Sequence, residues 1–233
     1  MEHILEVNNL SKNNILNDVS LYVENGEMIA VMGPSGSGKS TLLYNISGMD
    51  RADSGSVIFD GNDIVRLSED EKAKVRLNKM GFVFQNMNML SNLNVMENIM
   101  YPAIQSKHAD KNDVKTRAMS LMEKLGIGNL AQRKITEVSG GQLQRACICR
   151  SMINNPDIIF ADEPTGALNQ NSSMEVMEAL KKLNEEGTTL FIVTHDAKVA
   201  GMCDRVLFLV DGKITSEWTK GTDISEWLNG LGW

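Results

Sequence analysis

Nothing in the 233 residues is apolar for long enough to suggest a membrane span: runs such as Val206 to Val210 fall well short of the roughly 18–20 residues a bilayer needs. No basic stretch followed by an apolar one precedes Ile4, so no secretory leader is expected. Cysteine is scarce. Cys147, Cys149 and Cys203 form no C-x-x-C pair, and their odd count points to reduced thiols in the cytosol, packed as small core residues, rather than to zinc or disulfide frameworks. Basic charge is in the minority, with 23 Lys+Arg against 30 Asp+Glu and a formal net charge of −7, which disfavours a nucleic-acid binder. Internal repeats, low-complexity tracts and long linkers are also missing. What the chain does have is 42% hydrophobic residues, enough for one core or two closely packed subdomains and too many for a disordered protein.

The apolar pattern changes character along the chain. Ile4–Leu10 and Val19–Val23 alternate apolar and polar residues like half-buried strands, and Gly55–Asp60 adds a further antiparallel segment. Met28–Met32, Ile158–Ala161, Thr189–Val193 and Val206–Val210 do not alternate, as expected of strands covered on both faces of a parallel sheet. Gly81–Phe84 is another strand candidate. Helices are expected over 41–46, 114–125 and 173–183, the last with Met174, Met177, Leu180 and Leu183 facing the core. The stretch 87–152 reads as an inserted helical subdomain between core segments 1–86 and 153–217. In the tail, 218–233, Ile224, Trp227, Leu228 and Leu231 share one helical face that packs on its own domain.

Gly33-Pro34-Ser35-Gly36-Ser37-Gly38-Lys39-Ser40 fills G-x-x-x-x-G-K-[ST] at every position, follows a buried strand and opens a helix with Thr41. Glycines let backbone N–H groups crowd around phosphate oxygens, and the helix N-terminus adds positive potential at the same place. Lys39 is then expected on the β and γ phosphates and Ser40 on Mg²⁺. Such a site needs a carboxylate at the end of a neighbouring strand, and Asp162 supplies it. Glu163 comes next, aimed differently, as a candidate to polarise water. His195 ends another strand at the same sheet edge, within expected reach of the γ phosphate, whereas His3 and His108 read as surface residues. Gln85 leaves Gly81–Phe84 and enters the helical insertion, so it can sense Mg²⁺ or water while coupling the two parts. Ser139-Gly140-Gly141-Gln142 is a second small-residue turn before a helix. One nucleotide hardly needs two such nests, so a head-to-tail dimer is expected, each copy capping the nucleotide of the other.

With these five motifs in this order, the chain resembles the nucleotide-binding subunit of an ATP-binding cassette (ABC) transporter over about residues 4–214. The resemblance identifies Gly33–Thr41 as the Walker A loop, Gln85 as the Q-loop, Ser139–Gln142 as the signature, Asp162 and Glu163 as Walker B, and His195 as the switch. It implies a RecA-like P-loop α/β core with an antiparallel β subdomain and a helical subdomain. It also implies ATP and Mg²⁺ as ligands, ATP hydrolysis at the cytoplasmic face of a membrane, and a separate integral permease. Phe160–Leu168 and Asn94–Ile99 resemble the branch of macrolide exporters, lipoprotein-release ATPases and bacitracin- or lantibiotic-resistance transporters. In that branch a membrane partner transmits ATP-driven motion to an extracytoplasmic domain. A cargo-free mechanical ATPase, similar to the cell-division regulator of the same branch, is the alternative. ABC proteins of DNA repair or translation fit poorly at this length.

Two departures from the family pattern stand out. Leu10–Ile15 is shortened where the family carries an aromatic to stack on adenine, and offers Asn13 or Asn14 instead. Weak discrimination between ATP and GTP is therefore expected. Asn169 stands where the family's D-loop carries Asp, which bears on communication between the two sites. A row of methionines, Met87, Met89, Met96 and Met100, reads either as the lining of a groove for a helix of the membrane partner or as simple core filler.

Overall fold

The computed structural model describes residues 3–106 and 111–232. In chain order the strands are β1 (His3–Lys12), β2 (Leu16–Glu24), β3 (Met28–Met32), β4 (Ser54–Phe59), β5 (Asn62–Asp63), β6 (Met80–Phe84), β7 (Ile158–Asp162), β8 (Thr189–Val193), β9 (Arg205–Val210) and β10 (Lys213–Thr219). The helices are α1 (Lys39–Ile46), α2 (Glu69–Lys79), α3 (Val95–Ser106), α4 (Lys111–Lys124), α5 (Gly140–Met152), α6 (Gln170–Glu185), α7 (Ala197–Ala200) and α8 (Ile224–Gly230).

Two sheets result. One is antiparallel with strand order β2-β1-β4-β5, and the other has six strands in the order β10-β9-β3-β8-β7-β6. In the second, β9, β3, β8, β7 and β6 run parallel and β10 closes one edge antiparallel. Its central strands are covered on both faces, which is why they lack polar alternation. The period of two survives in where the side chains go. Met28, Ala30 and Met32 enter the core shared with the helical insertion and α6, whereas Ile29 and Val31 enter the core between the two sheets. Ile159 and Ala161 part from Ile158 and Phe160 in the same way.

The register decides where chemistry sits. Phe84 pairs with Asp162 and Asp162 with Val193, while the Thr194 amide donates to the Val31 carbonyl. Four adjacent parallel strands therefore end level, and the residues leaving them (Gly33, Gln85, Glu163 and His195) crowd one sheet edge, where open α/β sheets bind ligands.

Several elements differ from the sequence reading. Three helices, α2, α3 and the short α7, are not foreseen from the sequence. The start of α2 is marked by a capping box, Ser68 accepting from the Glu71 amide and Glu71 from Ser68, and α3 carries Pro102 within it. For the methionine row the core reading holds at three of the four positions. Met96 and Met100 are buried in the core, and Met89 packs against it. On α6, Met177, Leu180 and Leu183 are buried but Met174 is 44% exposed. The tail packs on its own domain through Leu228, Ile224 and Trp227, the last edge-on to Phe208 and donating to Ser216 Oγ at 3.2 Å. Leu231 ends that helix in solvent. His3 is half-buried against the Tyr22 ring, with centroids 4.4 Å apart, rather than a free surface residue. His108 and Trp233 lie outside the described residues. All three cysteines are buried, and burial pushes the Cys147 and Cys149 thiols up to about 11 and about 12, so they behave as inert core residues.

Candidate functional site

The loop after β3 is shaped by close approach. A Cβ on Gly33 would lie 2.0 Å from the Leu209 carbonyl oxygen, so only glycine lets the loop leave the sheet beside β9. Gly38 caps α1 in the left-handed region (φ 101°) and no side chain satisfies the first amides of that helix. An open helix N-terminus of this kind attracts anions. Among the described residues, Ser37 Oγ, buried in the loop, has no hydrogen-bond partner. Lys39 is 9% exposed and donates to the carbonyls of Gly33 at 2.8 Å and Pro34 at 2.9 Å. Burial pushes its ammonium below the usual lysine range, and the nearby Glu163 and Asp162 carboxylates oppose that shift. The lysine thus holds its charge on borrowed carbonyls, which a phosphate can replace.

Asp162 ends β7 facing α1. Ser40 Oγ donates to its Oδ1 at 3.0 Å, and the Tyr44 hydroxyl to its Oδ2 at 3.1 Å. Burial, and then the charge and hydrogen bond of Asp162, push the Tyr44 phenol above its ordinary value, which keeps it a donor. The next residue leaves the strand abruptly. Glu163 adopts φ 47°, a left-handed conformation costly for a residue with a side chain, while its amide donates to the Val193 carbonyl at 2.9 Å. That turn delivers Glu163 Oε1 to within 2.8 Å of His195 Nδ1. Gln85 reaches the same place from β6: a Cβ on Gly166 would meet its Nε2 at 2.9 Å and the Glu163 Cβ at 3.4 Å. The structure therefore gathers Lys39, Ser40, Gln85, Asp162, Glu163 and His195 at one edge.

Ser139 to Gln142 is not gathered with them. Ser139 caps α5 by accepting from the Gln142 amide at 3.4 Å, while Gln142 Oε1 accepts from the Ser139 amide at 2.9 Å. Around this closed box, Gly140 faces Leu168, and a Cβ on Gly141 would lie 2.8 Å from Ser172 Cβ. The turn therefore rests on the start of α6. Asn169 caps α6, its Oδ1 accepting from the Ser172 amide at 3.0 Å. Asp serves equally well as a cap, so Asn in this place keeps the local structure.

Three features escaped the sequence reading. Tyr44 stands one helical turn after Ser40, an i, i+4 spacing that places both on one face. The loop after Gln85 is clamped by α5. Gln144 Nε2 donates to the Phe84 carbonyl at 3.3 Å, Cys147 Sγ to that of Met87 at 3.4 Å, and Arg150 to Met87 and Asn88 at 2.6 and 2.8 Å. Positions 144, 147 and 150 recur every three residues, a periodicity that could have shown one polar stripe. Third, Asn13 and Asn14 spend their tolerance of positive φ (43° and 59°) on the hairpin turn, and it is Ile15 that meets the phosphate loop. A Cβ on Gly38 would touch Ile15 O at 3.1 Å and Ile15 Cγ2 at 3.2 Å, yet Ile15 remains 43% exposed.

The pattern of the ABC transporter family matches residues 16–166. The macrolide export ATP-binding/permease protein MacB of Campylobacter jejuni is 44% identical over 214 residues, covering 91% of this chain and 33% of that protein. The chain thus spans about a third of the macrolide-export relatives it matches. The ABC transporter ATP-binding protein YxdL of Bacillus subtilis is 42% identical over 229 residues, covering 95% of this chain and 89% of that protein. Among solved structures, the dimeric post-hydrolysis state of the ATP-binding cassette MJ0796, bound to ADP and Pi, superimposes with a TM-score of 0.85 at 36% identity. It covers 94% of this chain and 100% of that chain. The chain therefore has the P-loop ABC ATPase fold and belongs to the ABC transporter family.

Proposed function

We infer that this chain is the ATP-hydrolysing subunit of an ABC transporter, working as a nucleotide-sandwiched homodimer on the cytoplasmic face of a membrane and driving a permease carried on a separate chain. The observation that carries the reading is the convergence of the open α1 N-terminus, Lys39, the Ser40–Asp162 pair and the Glu163–His195 pair on one sheet edge.

The phosphates of ATP sit on the loop amides from Gly33 to Thr41, and Lys39 moves its charge from the loop carbonyls to the β and γ phosphates. The donor set at Ser40 and Asp162 is all oxygen and fits Mg²⁺, and Gln85 is proposed to add its amide oxygen when the metal is bound. When bound, Mg²⁺ neutralises phosphate oxygens and so favours departure of the γ phosphoryl group. Glu163 takes a proton from the water that attacks the γ phosphorus, and ADP leaves with the bridging oxygen. His195 holds Glu163 in place, and the rest of its ring, 64% exposed, is open to the γ phosphate. Ser139 and Gly141 of a second copy complete the pocket, because the same chain's turn is not gathered at this edge. Loss of phosphate then removes what the second copy grips.

The membrane partner's helix is placed in a groove of about 430 Å³ beside β6, lined by Met49, Leu77, Met80, Phe82, Phe84 and Pro102. Among the described residues no helix is long and apolar enough to cross a membrane, which fits a peripheral position. Similarity to macrolide-export proteins favours export, or transmission of motion to an extracytoplasmic domain, with a hydrophobic compound, lipoprotein or antimicrobial peptide as cargo.

Glu163→Gln tests the reading. Turnover is expected to fall by about a thousandfold while ATP with Mg²⁺ shifts the protein to a dimer in size-exclusion chromatography, reversed by chelation. Near-normal hydrolysis, or a monomer under these conditions, would sink it.

A further inference from the structure

Ser40 and Tyr44 lie one turn apart on α1 and address opposite oxygens of one carboxylate, Ser40 on Asp162 Oδ1 and Tyr44 on Oδ2. Asp162 is only 9% exposed, so water has little access to replace either donor. Tyr44 is itself pinned at three points. Its ring packs against the core between the sheets, its carbonyl accepts from the Met49 and Asp50 amides at 2.8 and 3.0 Å, and its hydroxyl engages Asp162.

A carboxylate carried on a single methylene turns broadly about its last torsion. One donor leaves that swing open. Two donors on the two oxygens fix the plane. The donors are not equivalent, because Ser40 has its own place beside a cation whereas Tyr44 has none. Tyr44 is therefore the restraint that does not change when the site fills.

We propose that Tyr44 is a positioning residue for a divalent cation, its hydroxyl holding Asp162 Oδ2 so that Oδ1 stays turned toward the metal. The inference rests on the nucleotide and metal reading of the loop. Hydrogen-bonding partners of this kind commonly set metal affinity by an order of magnitude or more.

Tyr44→Phe removes one oxygen and keeps the ring. In a Glu163→Gln background, so that ATP persists, Mn²⁺ binding with ATP is followed by the electron paramagnetic resonance signal of the free ion. The Mn²⁺ dissociation constant is expected to rise about tenfold, while ATP affinity in EDTA and the thermal midpoint stay at the parent's values. Tyr44→Leu, a second way of deleting the hydroxyl, should give the same shift. An Mn²⁺ affinity within about twofold of the parent overturns the inference, and so does an equal loss of metal-free ATP affinity, which would mark general damage to the loop. Asp162→Ala separates the two levels: if it keeps the parent's Mn²⁺ affinity, the metal reading itself fails, whatever Tyr44→Phe does. If Asp162→Ala weakens Mn²⁺, adding Tyr44→Phe to it should cost nothing more. A further loss there means that the hydroxyl acts elsewhere, and the inference falls.

Discussion

At the end of the parallel strands, Lys39, Ser40, Asp162, Glu163 and His195 are already engaged with one another or with their own loop. At the start of α5, the Ser139 and Gln142 side chains close a capping box with each other's backbone, and Gly141 lies against the flank of α6. The first region is assembled by register: strands ending level bring distant positions of the chain to one edge. The second is assembled by local capping and leans on a neighbouring helix. The difference teaches that a single chain keeps these two clusters apart; on the function proposed above, the first receives a nucleotide and the second is presented to another copy.

The sharpest way to break that contrast is Ser139→Glu. A carboxylate on the turn repels a γ phosphate brought by another copy, so hydrolysis should fall by about a hundredfold or more. ATP binding to the single chain, measured by a fluorescent analogue at low protein concentration, should hold. If both fall together, the halves are not independent.

A smaller effect concerns the base. An aromatic face contributes about 1–3 kcal/mol of stacking, and here the rim of the loop offers the branched aliphatic Ile15 instead. At equal concentration, GTP is expected to be hydrolysed at a rate within about fivefold of ATP. A strong preference for ATP would show that adenine is read by groups away from that hairpin.

The smallest effect is expected at the junction of the two regions. Asn169 and Asp cap a helix about equally well, so Asn169→Asp should move unfolding free energy by less than about 0.5 kcal/mol in urea titration. Hydrolytic cooperativity should be unchanged. A clear change in cooperativity would assign the missing charge a part in joining the halves.

Much of this was legible in the residues. Met28–Met32 and Thr189–Val193 were read as strands to the residue because two-sided burial removes alternation, and Gly33–Ser40 fixed the loop because few sequences satisfy that backbone. What escaped depends on contacts between segments far apart in the chain. No local pattern says that Tyr44 faces a carboxylate 118 residues away, or that Asn13 and Asn14 are consumed by a turn so that Ile15 takes the rim. The methionines of α3 left two readings open for a related reason: Met suits both cores and surfaces, so identity alone does not decide which.

The stripe of Gln144, Cys147 and Arg150 has a consequence for how this protein tolerates change. Surface loops ordinarily absorb added residues at little cost. The stretch from Phe84 to Asn88 is tied at three carbonyls to side chains spaced along a rigid rod, and an inserted residue would slip every tie out of step at once. Homologues should therefore keep its length fixed even where its amino acids drift, and a protease supplied in solution should find it a poor substrate.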